Sequence, residues 1–339
     1  MDCSRVNTRL VSIAALLGLA LLIPATALSA ENYRPRNLIQ AQYGGGESEF
    51  GLKKVYGYDG NYLGALFFTM GADGNIYIYD GVKGNIKVYG NNGAFVDTIK
   101  AVAWQVDLLF PTDMTLPPNG DIYILCETSD AEDRYRVFLK AAGVDSVRNV
   151  PVAVPWSFCR SEEGYPQFNS AGIVSDQHEN VYLADWRATK SIKLVERGRV
   201  LPDSSQLSSL REGIFASTGP FRSFARCNSK VDVKGNPILF DDEGKLVKGW
   251  AELPGDSLGT DSLSNVYLQS FVVTDTASSE RISKYSPDGR MLAVIDFPRY
   301  ERSTLTYGKG PWIVGTDGSI YEMLAVRDSV TVRKWERVR

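Results

Sequence analysis

Short runs of alternating aliphatic and tyrosine residues recur along the chain, and each follows a turn-forming residue. The runs are GNIYIYD (74–80), GDIYILC (120–126), ENVYLAD (179–185), SNVYLQS (264–270) and GSIYEML (318–324). Such composition, bounded by turn residues, is typical of β-strands. With one degenerate copy between Tyr182 and Tyr267, the spacing is about 49 residues, close to the blade period of a β-propeller.

A second pattern follows most of these runs and consists of two strands joined by a tight turn. Examples are NIKVYGNNGAFVDTI from Asn85 and RISKYSPDGRMLAVI from Arg281. Asn-Gly and Asp-Gly pairs between strand-like runs indicate hairpins. With one strand before each turn, the unit has four strands, labelled a to d in chain order. Residues 236–250, NPILFDDEGKLVKGW, keep the c–d pattern and predict the degenerate fourth blade.

The ends of the repeat array predict how the propeller is closed. The last unit supplies strands a, b and c, and GLKKVYG (51–57) precedes the first strand a without a partner of its own. Pairing residues 51–57 beside residues 330–337 would remove an open sheet edge. We therefore predict an all-β fold, a six-bladed propeller of four-stranded blades over residues 50–339, with residues 31–49 as a flexible lead-in.

The N-terminal residues have the pattern of a secretory signal peptide. A basic start precedes 14 uncharged residues, Leu10 to Ile23, and the small-residue stretch PATALSA follows. An apolar run of this length is short for a bilayer-spanning helix. We predict a signal peptide over residues 1–30, cleaved after Ala27 or Ala30, and a periplasmic or extracellular protein without a membrane span after cleavage. An uncleaved anchor is the alternative.

Charge and residue counts exclude several classes of function. The 37 basic and 40 acidic residues leave no basic surface for nucleic acid. His178 is the only histidine and lies in an a–b turn, so a multi-histidine zinc site or a Ser-His-Asp set cannot form. We expect no cofactor and a monomer.

Three cysteines follow the predicted signal peptide, namely Cys126, Cys159 and Cys227. An oxidising compartment would permit one disulfide. Cys126–Cys159 is the favoured pair, because both residues belong to the same end of the second blade. Three separate buried thiols are the alternative.

The best-formed repeats resemble those of NHL-repeat six-bladed propellers. The two clearest copies are GIVSDQHENVYLADWRATKSIKLV (172–195) and GADGNIYIYDGVKGNIKVY (71–89). The resemblance implies the fold. It does not decide the activity, because the NHL group includes binding modules and a few enzymes.

The two ends of a propeller carry different connections, and here they differ in length. The a–b and c–d turns are short, whereas the d–a and b–c loops, which we call the long-loop face, are long and are the default place for function. Aromatic residues concentrate in three d–a loops, 101–111, 152–168 and 296–312: Trp104, Trp156, Tyr165, Tyr300, Tyr307 and Trp312. These rings predict a site for a protein, glycan or small ligand. Rings wedged between blades are the alternative.

Polar residues at the same face suggest a second interpretation. Asp113 and Asn169 begin strand a of two blades, and Asp80 and Asp185 end strand b of two blades. Oxygen ligands from several blades could hold Ca²⁺. The stretch around Asn169 and Asp185 half-resembles gluconolactonase-type hydrolases, which implies metal binding by Asp113, Asn169 and Asp185 and catalysis by Asp185. Alternatively, each aspartate caps its own loop.

Overall fold

The computed structural model describes most of the repeat array and none of the predicted signal peptide. The described residues are 33–54, 62–101, 109–128, 135–150, 171–175, 178–185, 191–201, 239–240, 246–247, 256–263, 265–273, 278–286, 291–297, 312–315 and 317–338. The chain divides into two compact units, Met1–Ala30 and Glu31–Arg339, and every described residue belongs to the second. Within these residues, no helix has the length and apolar character that crossing a bilayer requires.

Three strands precede the first complete blade. They are β1 (Tyr33–Gln42), β2 (Lys53–Lys54) and β3 (Tyr62–Leu63). The first blade then consists of β4 (Ala65–Met70), β5 (Ile76–Asp80), β6 (Asn85–Tyr89) and β7 (Phe95–Lys100). Its neighbouring strands are all antiparallel. This order is the predicted a–b–c–d unit.

Two more blades follow along the chain. The second consists of β8 (Leu109–Thr115), β9 (Ile122–Thr128), β10 (Tyr135–Lys140) and β11 (Val147–Val150). The third consists of β12 (Ala171–Ser175), β13 (Val181–Asp185), β14 (Ser191–Glu196) and β15 (Arg199–Val200). Where the sequence predicts the degenerate blade, the described residues form only a two-stranded sheet of β16 (Leu239–Phe240) and β17 (Leu246–Val247).

The penultimate and last blades complete the described structure. The penultimate blade consists of β18 (Asp256–Thr260), β19 (Val266–Val273), β20 (Ser278–Tyr285) and β21 (Met291–Phe297). The last contains β22 (Trp312–Val314), β23 (Ile320–Ala325) and β24 (Ser329–Arg337), with β1 as its fourth strand. The protein is thus an all-β propeller of four-stranded antiparallel blades, and the described residues contain five complete blades rather than the predicted six.

The strand that completes the last blade is not the predicted one. Residues 33–42 pair with residues 329–337, whereas Lys53 and Lys54 pair with Leu63 and Tyr62. An irregularity between Asn37 and Ile39 lets two adjacent residues, Leu38 and Ile39, both be buried. The prediction that residues 51–57 complete the last blade was wrong, because β1 occupies the edge of β24 and Lys53 and Lys54 pair with β3. Residues 33–42 also belong to a blade and not to a flexible lead-in.

Apolar side chains fill the seams between neighbouring blades. One cluster joins the penultimate blade to the last, and others join the last to the first, the first to the second, and the second to the third. Five blades therefore follow one another in an unbroken series of packed seams. Most of the chain between the third and penultimate blades lies outside the described residues.

The repeated tyrosine of strand b is explained by the turn before it. The hydroxyl of Tyr77 donates to the Asp73 carboxylate at 2.9 Å, and that of Tyr267 donates to Asp261 at 3.0 Å. In the turn that precedes Tyr77, Gly74 has a φ of 77°, a value that favours glycine. The aspartate, the glycine and the tyrosine form one structural unit in that repeat, whereas the turn that precedes Tyr267 keeps the aspartate and has no glycine.

Cys126 is a free, buried thiol. It belongs to the seam between the first and second blades, together with Tyr79, Ile86 and Met114. Burial raises the pKa of this thiol above its ordinary value. The predicted Cys126–Cys159 disulfide is therefore wrong, because the Cys126 side chain packs in the seam. Cys159 and Cys227 lie outside the described residues.

Candidate functional site

The strand topology brings the ends of the three aromatic-rich segments to one face of the propeller. Each segment joins the last strand of one blade to the first strand of the next: β7 to β8, β11 to β12 and β21 to β22. Because strands alternate in direction within a blade, all these connections begin and end at the same face. His178, in the turn between β12 and β13, is exposed on the opposite face. The rings predicted to lie on the face opposite His178, namely Trp156, Tyr165, Tyr300 and Tyr307, are outside the described residues, so their placement stays a prediction.

Most residues of the predicted binding site cannot be placed. Outside the described residues lie five of its aromatic residues and one predicted metal ligand: Trp104, Trp156, Tyr165, Tyr300, Tyr307 and Asn169. Their roles stay predictions. Of the predicted catalytic and metal-binding Asp185, only the backbone at the end of β13 is described.

Trp312 is a buried residue between the penultimate and last blades. Its side chain is 3% exposed, and its ring centroid lies 4.4 Å from that of Phe297. The indole nitrogen of Trp312 donates a hydrogen bond to the Glu280 carboxylate at 2.5 Å. Trp312 therefore adopts the alternative arrangement, a ring wedged between blades. Since Phe297 and Trp312 are the described ends of one aromatic-rich loop, their contact fixes the base of that loop.

A buried carboxylate, Glu322, lies in the same seam. Glu322 is 3% exposed and accepts a hydrogen bond from the indole nitrogen of Trp335 at 3.1 Å. The Arg333 guanidinium lies 3.6 Å from the same carboxylate. Sequence reasoning missed Glu322. The signal was present, because Glu322 occupies the position in strand b where the other four repeats have isoleucine or leucine.

The pKa of Glu322 is raised above its ordinary value. Burial is the main cause, and the negative charge of Glu280 acts in the same direction, while Trp335 and Arg333 lower the pKa. The folded protein therefore binds this proton more tightly than the unfolded chain, whose glutamate pKa is about 4.3. This contribution to stability is present below about pH 4.3 and is lost as the pH rises through the folded-state pKa.

We predict that Glu322→Gln changes the pH dependence of stability. The variant lacks the titrating group, so its free energy of unfolding should rise relative to wild type between pH 4 and pH 7, tested by urea denaturation at each pH. Glu196→Gln, at an exposed position in β14, is the control for the loss of a carboxylate. A difference from wild type that is the same at every pH would contradict this prediction.

Asp113 joins two blades through its carboxylate. One oxygen accepts the backbone N–H of Met114 at 2.9 Å, and the other accepts that of Ile173 in the third blade at 2.9 Å. Two residues along, the Thr115 and Ser175 hydroxyls are 2.8 Å apart and also join these blades. Asp113 is 4% exposed. Asp113 lies inside β8 and not at its start as predicted, and its buried carboxylate has a structural explanation.

Asp80 caps the loop that follows its own strand. One carboxylate oxygen accepts the backbone N–H groups of Val82 and Lys83, each at 3.0 Å, and the other accepts that of Gly51 at 2.8 Å. Burial raises the pKa of Asp80, and these hydrogen bonds lower it in part. This is the capping role that the sequence analysis gives as the alternative to metal binding.

Metal binding by the predicted residues stays a prediction. No group of three or more His, Cys, Asp or Glu side chains is suited to a metal ion among the residues that the structure describes. Two of the three predicted calcium ligands, Asn169 and the side chain of Asp185, lie outside the described part of the chain.

Comparisons with known proteins add little to this picture. No protein-family model matches the sequence, and no curated protein matches it. Among solved structures, virginiamycin B lyase from Staphylococcus aureus is 9% identical over 91% of this chain and 99% of its own, with a TM-score of 0.40. The C-terminal WD40 domain of Sif2 is 8% identical over 81% of this chain and 82% of its own, with a TM-score of 0.38.

A protein of unknown function from Bacteroides thetaiotaomicron is 8% identical, over 90% of this chain and 76% of its own, with a TM-score of 0.39. At these values the similarities carry no weight for function. The class of the protein, a β-propeller, follows from its own sheet topology.

Proposed function

We propose that this protein is an exported, non-catalytic β-propeller that binds a protein, glycan or small ligand through its long-loop face. The finer architecture that we propose is six NHL-like blades, with the sixth blade around β16 and β17. The propeller acts as a monomer, in the periplasm or outside the cell, and the aromatic rings of the d–a loops contact the ligand.

The observation that supports this proposal is that the strands flanking the three aromatic-rich segments end and begin at one face. Each loop joins two packed blades, so its ends are held by strands on both sides. Large aromatic side chains on rigid supports lose little conformational entropy on binding, which is why they anchor interfaces. The Phe297–Trp312 contact gives one loop a fixed base from which Tyr300 and Tyr307 can act.

The hydrogen bonds of Asp113 favour a non-catalytic protein over the calcium-dependent alternative. Both of its oxygens already accept backbone hydrogen bonds. These hydrogen bonds explain the burial of Asp113 without a metal ion. Asp113 therefore adds no support to the alternative, a calcium-dependent hydrolase or lyase with Asp185 as its catalytic residue.

The test is a comparison of binding by variants. The double variant Trp156→Ala/Tyr300→Ala should reduce binding by at least tenfold, because truncating an aromatic anchor at an interface costs about 2 kcal/mol or more. Its melting temperature should remain near that of wild type. The measurement is binding to an array of defined oligosaccharides, together with crosslinking capture from an envelope extract, at equal protein concentration.

The control changes an exposed apolar residue on the opposite face. Leu263, in the turn between β18 and β19, is 73% exposed, and Leu263→Ala should bind as wild type does. A large loss of stability with unchanged binding in the double variant would contradict the proposal. Activity on lactones or esters that requires Ca²⁺ would favour the enzyme instead.

A further inference from the structure

Residues 43–51, which we call the strap, cross from the last blade to the first. The strap begins where β1 ends, beside the start of β24, and therefore lies at the long-loop face. Its two ends meet, because the Gly44 N–H donates to the Phe50 carbonyl at 2.9 Å and the Phe50 N–H donates to the Gln42 carbonyl at 2.9 Å. The strap is thus a closed loop between two blades that are far apart in sequence.

Lys83, in the turn between β5 and β6, donates hydrogen bonds to the backbone of the strap. Its ammonium group donates to the carbonyls of Gly46 and Glu49, each at 2.8 Å. Hydrogen bonds from a charged donor are stronger than those from a neutral one. The turn that presents Lys83 is itself fixed, because the Asp80 carboxylate accepts the Lys83 N–H and also the N–H of Gly51 at the end of the strap.

Lys87, the third residue of β6, provides a second hydrogen bond to the backbone of the strap. Its side chain is 1% exposed, and its ammonium group donates to the Glu47 carbonyl. The Thr98 hydroxyl lies 3.4 Å from the same carbonyl oxygen. Burying a lysine is costly unless the charge is hydrogen-bonded. The position of Lys87 therefore depends on the strap staying in place.

Tyr89 holds the remaining part of the strap. Its hydroxyl donates to the Ser48 carbonyl at 3.1 Å, and its ring stacks on that of Phe50, with centroids 6.4 Å apart. Phe50 is fully buried in the seam between the last and first blades. Four consecutive carbonyls, from Gly46 to Glu49, therefore accept hydrogen bonds from side chains of the first blade.

We propose that the strap is a conformational latch that keeps β1 in the last blade. Strand β1 is the outer strand of its sheet and pairs only with β24, so strand pairing alone would leave it free to detach. The latch adds contacts to the first blade. The two ammonium groups, of Lys83 and Lys87, hydrogen-bond to backbone carbonyls of the strap. Loss of these hydrogen bonds therefore opens the seam between the last and first blades without unfolding any other blade.

The test uses the full chain, cut after it has folded. A specific protease site is placed within residues 55–61, the purified protein is cleaved, and the dissociation of the N-terminal fragment is followed by size-exclusion chromatography over time. The wild-type fragment should remain bound. In the variant Lys83→Met/Lys87→Met, the fragment should dissociate at least tenfold faster.

Lys100→Met is the matched control, because Lys100 is an exposed lysine of the same blade at the end of β7. The control should retain the fragment as wild type does. If the double variant does not fold, the two single variants Lys83→Met and Tyr89→Phe test the proposal instead. Each removes hydrogen bonds to the strap and should speed dissociation of the fragment. Equal retention in all variants, or immediate loss of the wild-type fragment, would overturn the proposal.

Discussion

Replacing Asp80 by alanine is expected to lower the free energy of unfolding by about 3–5 kcal/mol, among the largest effects of any substitution in the first blade. The Asp80 side chain is fully buried and accepts three backbone N–H groups from two segments of chain. Each buried donor left without a partner costs about 1–3 kcal/mol. Urea denaturation followed by tryptophan fluorescence measures the loss.

Two further variants separate the causes of this loss. Asp80→Asn keeps one acceptor oxygen and should lose roughly half as much stability. Asp97→Ala removes an exposed carboxylate of β7 whose hydrogen bond is to the N–H of its neighbour Thr98, and should stay within about 0.5 kcal/mol of wild type. An Asp80→Ala protein as stable as the Asp97→Ala protein would mean that water satisfies the three amides.

The repeated unit of the fold could be predicted from the sequence because its signal is local. Each tyrosine run became the second strand of a four-stranded sheet, from β5 around Tyr77 to β23 around Tyr321. The aliphatic and tyrosine composition of each run and the turn before the strand are both properties of nearby residues. The propeller of four-stranded blades is therefore confirmed, although five blades are described and not six.

The strand that completes the last blade could not be predicted, because an outer strand has little pattern of its own. Four of the first five residues of β1, from Arg34 to Asn37, are exposed and read as a polar lead-in. The partner of β1 lies almost 300 residues later in the chain. Leu38 and Ile39, which are adjacent and buried, are the main features that distinguish this segment from a polar loop. Adjacent aliphatic residues occur at many other places in the sequence, so this pair alone does not identify the strand.

The face of the candidate site was predictable, but the environment of each ring was not. Strand direction alone places all d–a loops at one end of the propeller. A tryptophan at the edge of a strand has the same local sequence whether it faces solvent or a neighbouring blade. Trp312 packs on Phe297, which is 15 positions earlier, and the carboxylate that accepts its hydrogen bond belongs to Glu280.

Replacing Trp312 by alanine is expected to lower the free energy of unfolding by about 3–5 kcal/mol, the usual range for a buried tryptophan. The ring packs on Phe297, with centroids 4.4 Å apart, and Phe297 packs in turn on Trp335, so the change leaves a cavity in the seam between the penultimate and last blades. Urea denaturation measures the loss.

Trp312→Phe distinguishes packing from hydrogen bonding at the same position. It keeps an aromatic ring against Phe297 but removes the N–H that Glu280 accepts, and should cost about 1–2 kcal/mol. Combining Trp312→Phe with Glu280→Ala should cost less than the sum of the two single changes, because each single change removes the same hydrogen bond. Strict additivity would mean that the indole N–H contributes nothing. Wild-type stability in Trp312→Ala, combined with weaker ligand binding, would instead assign Trp312 to the binding face.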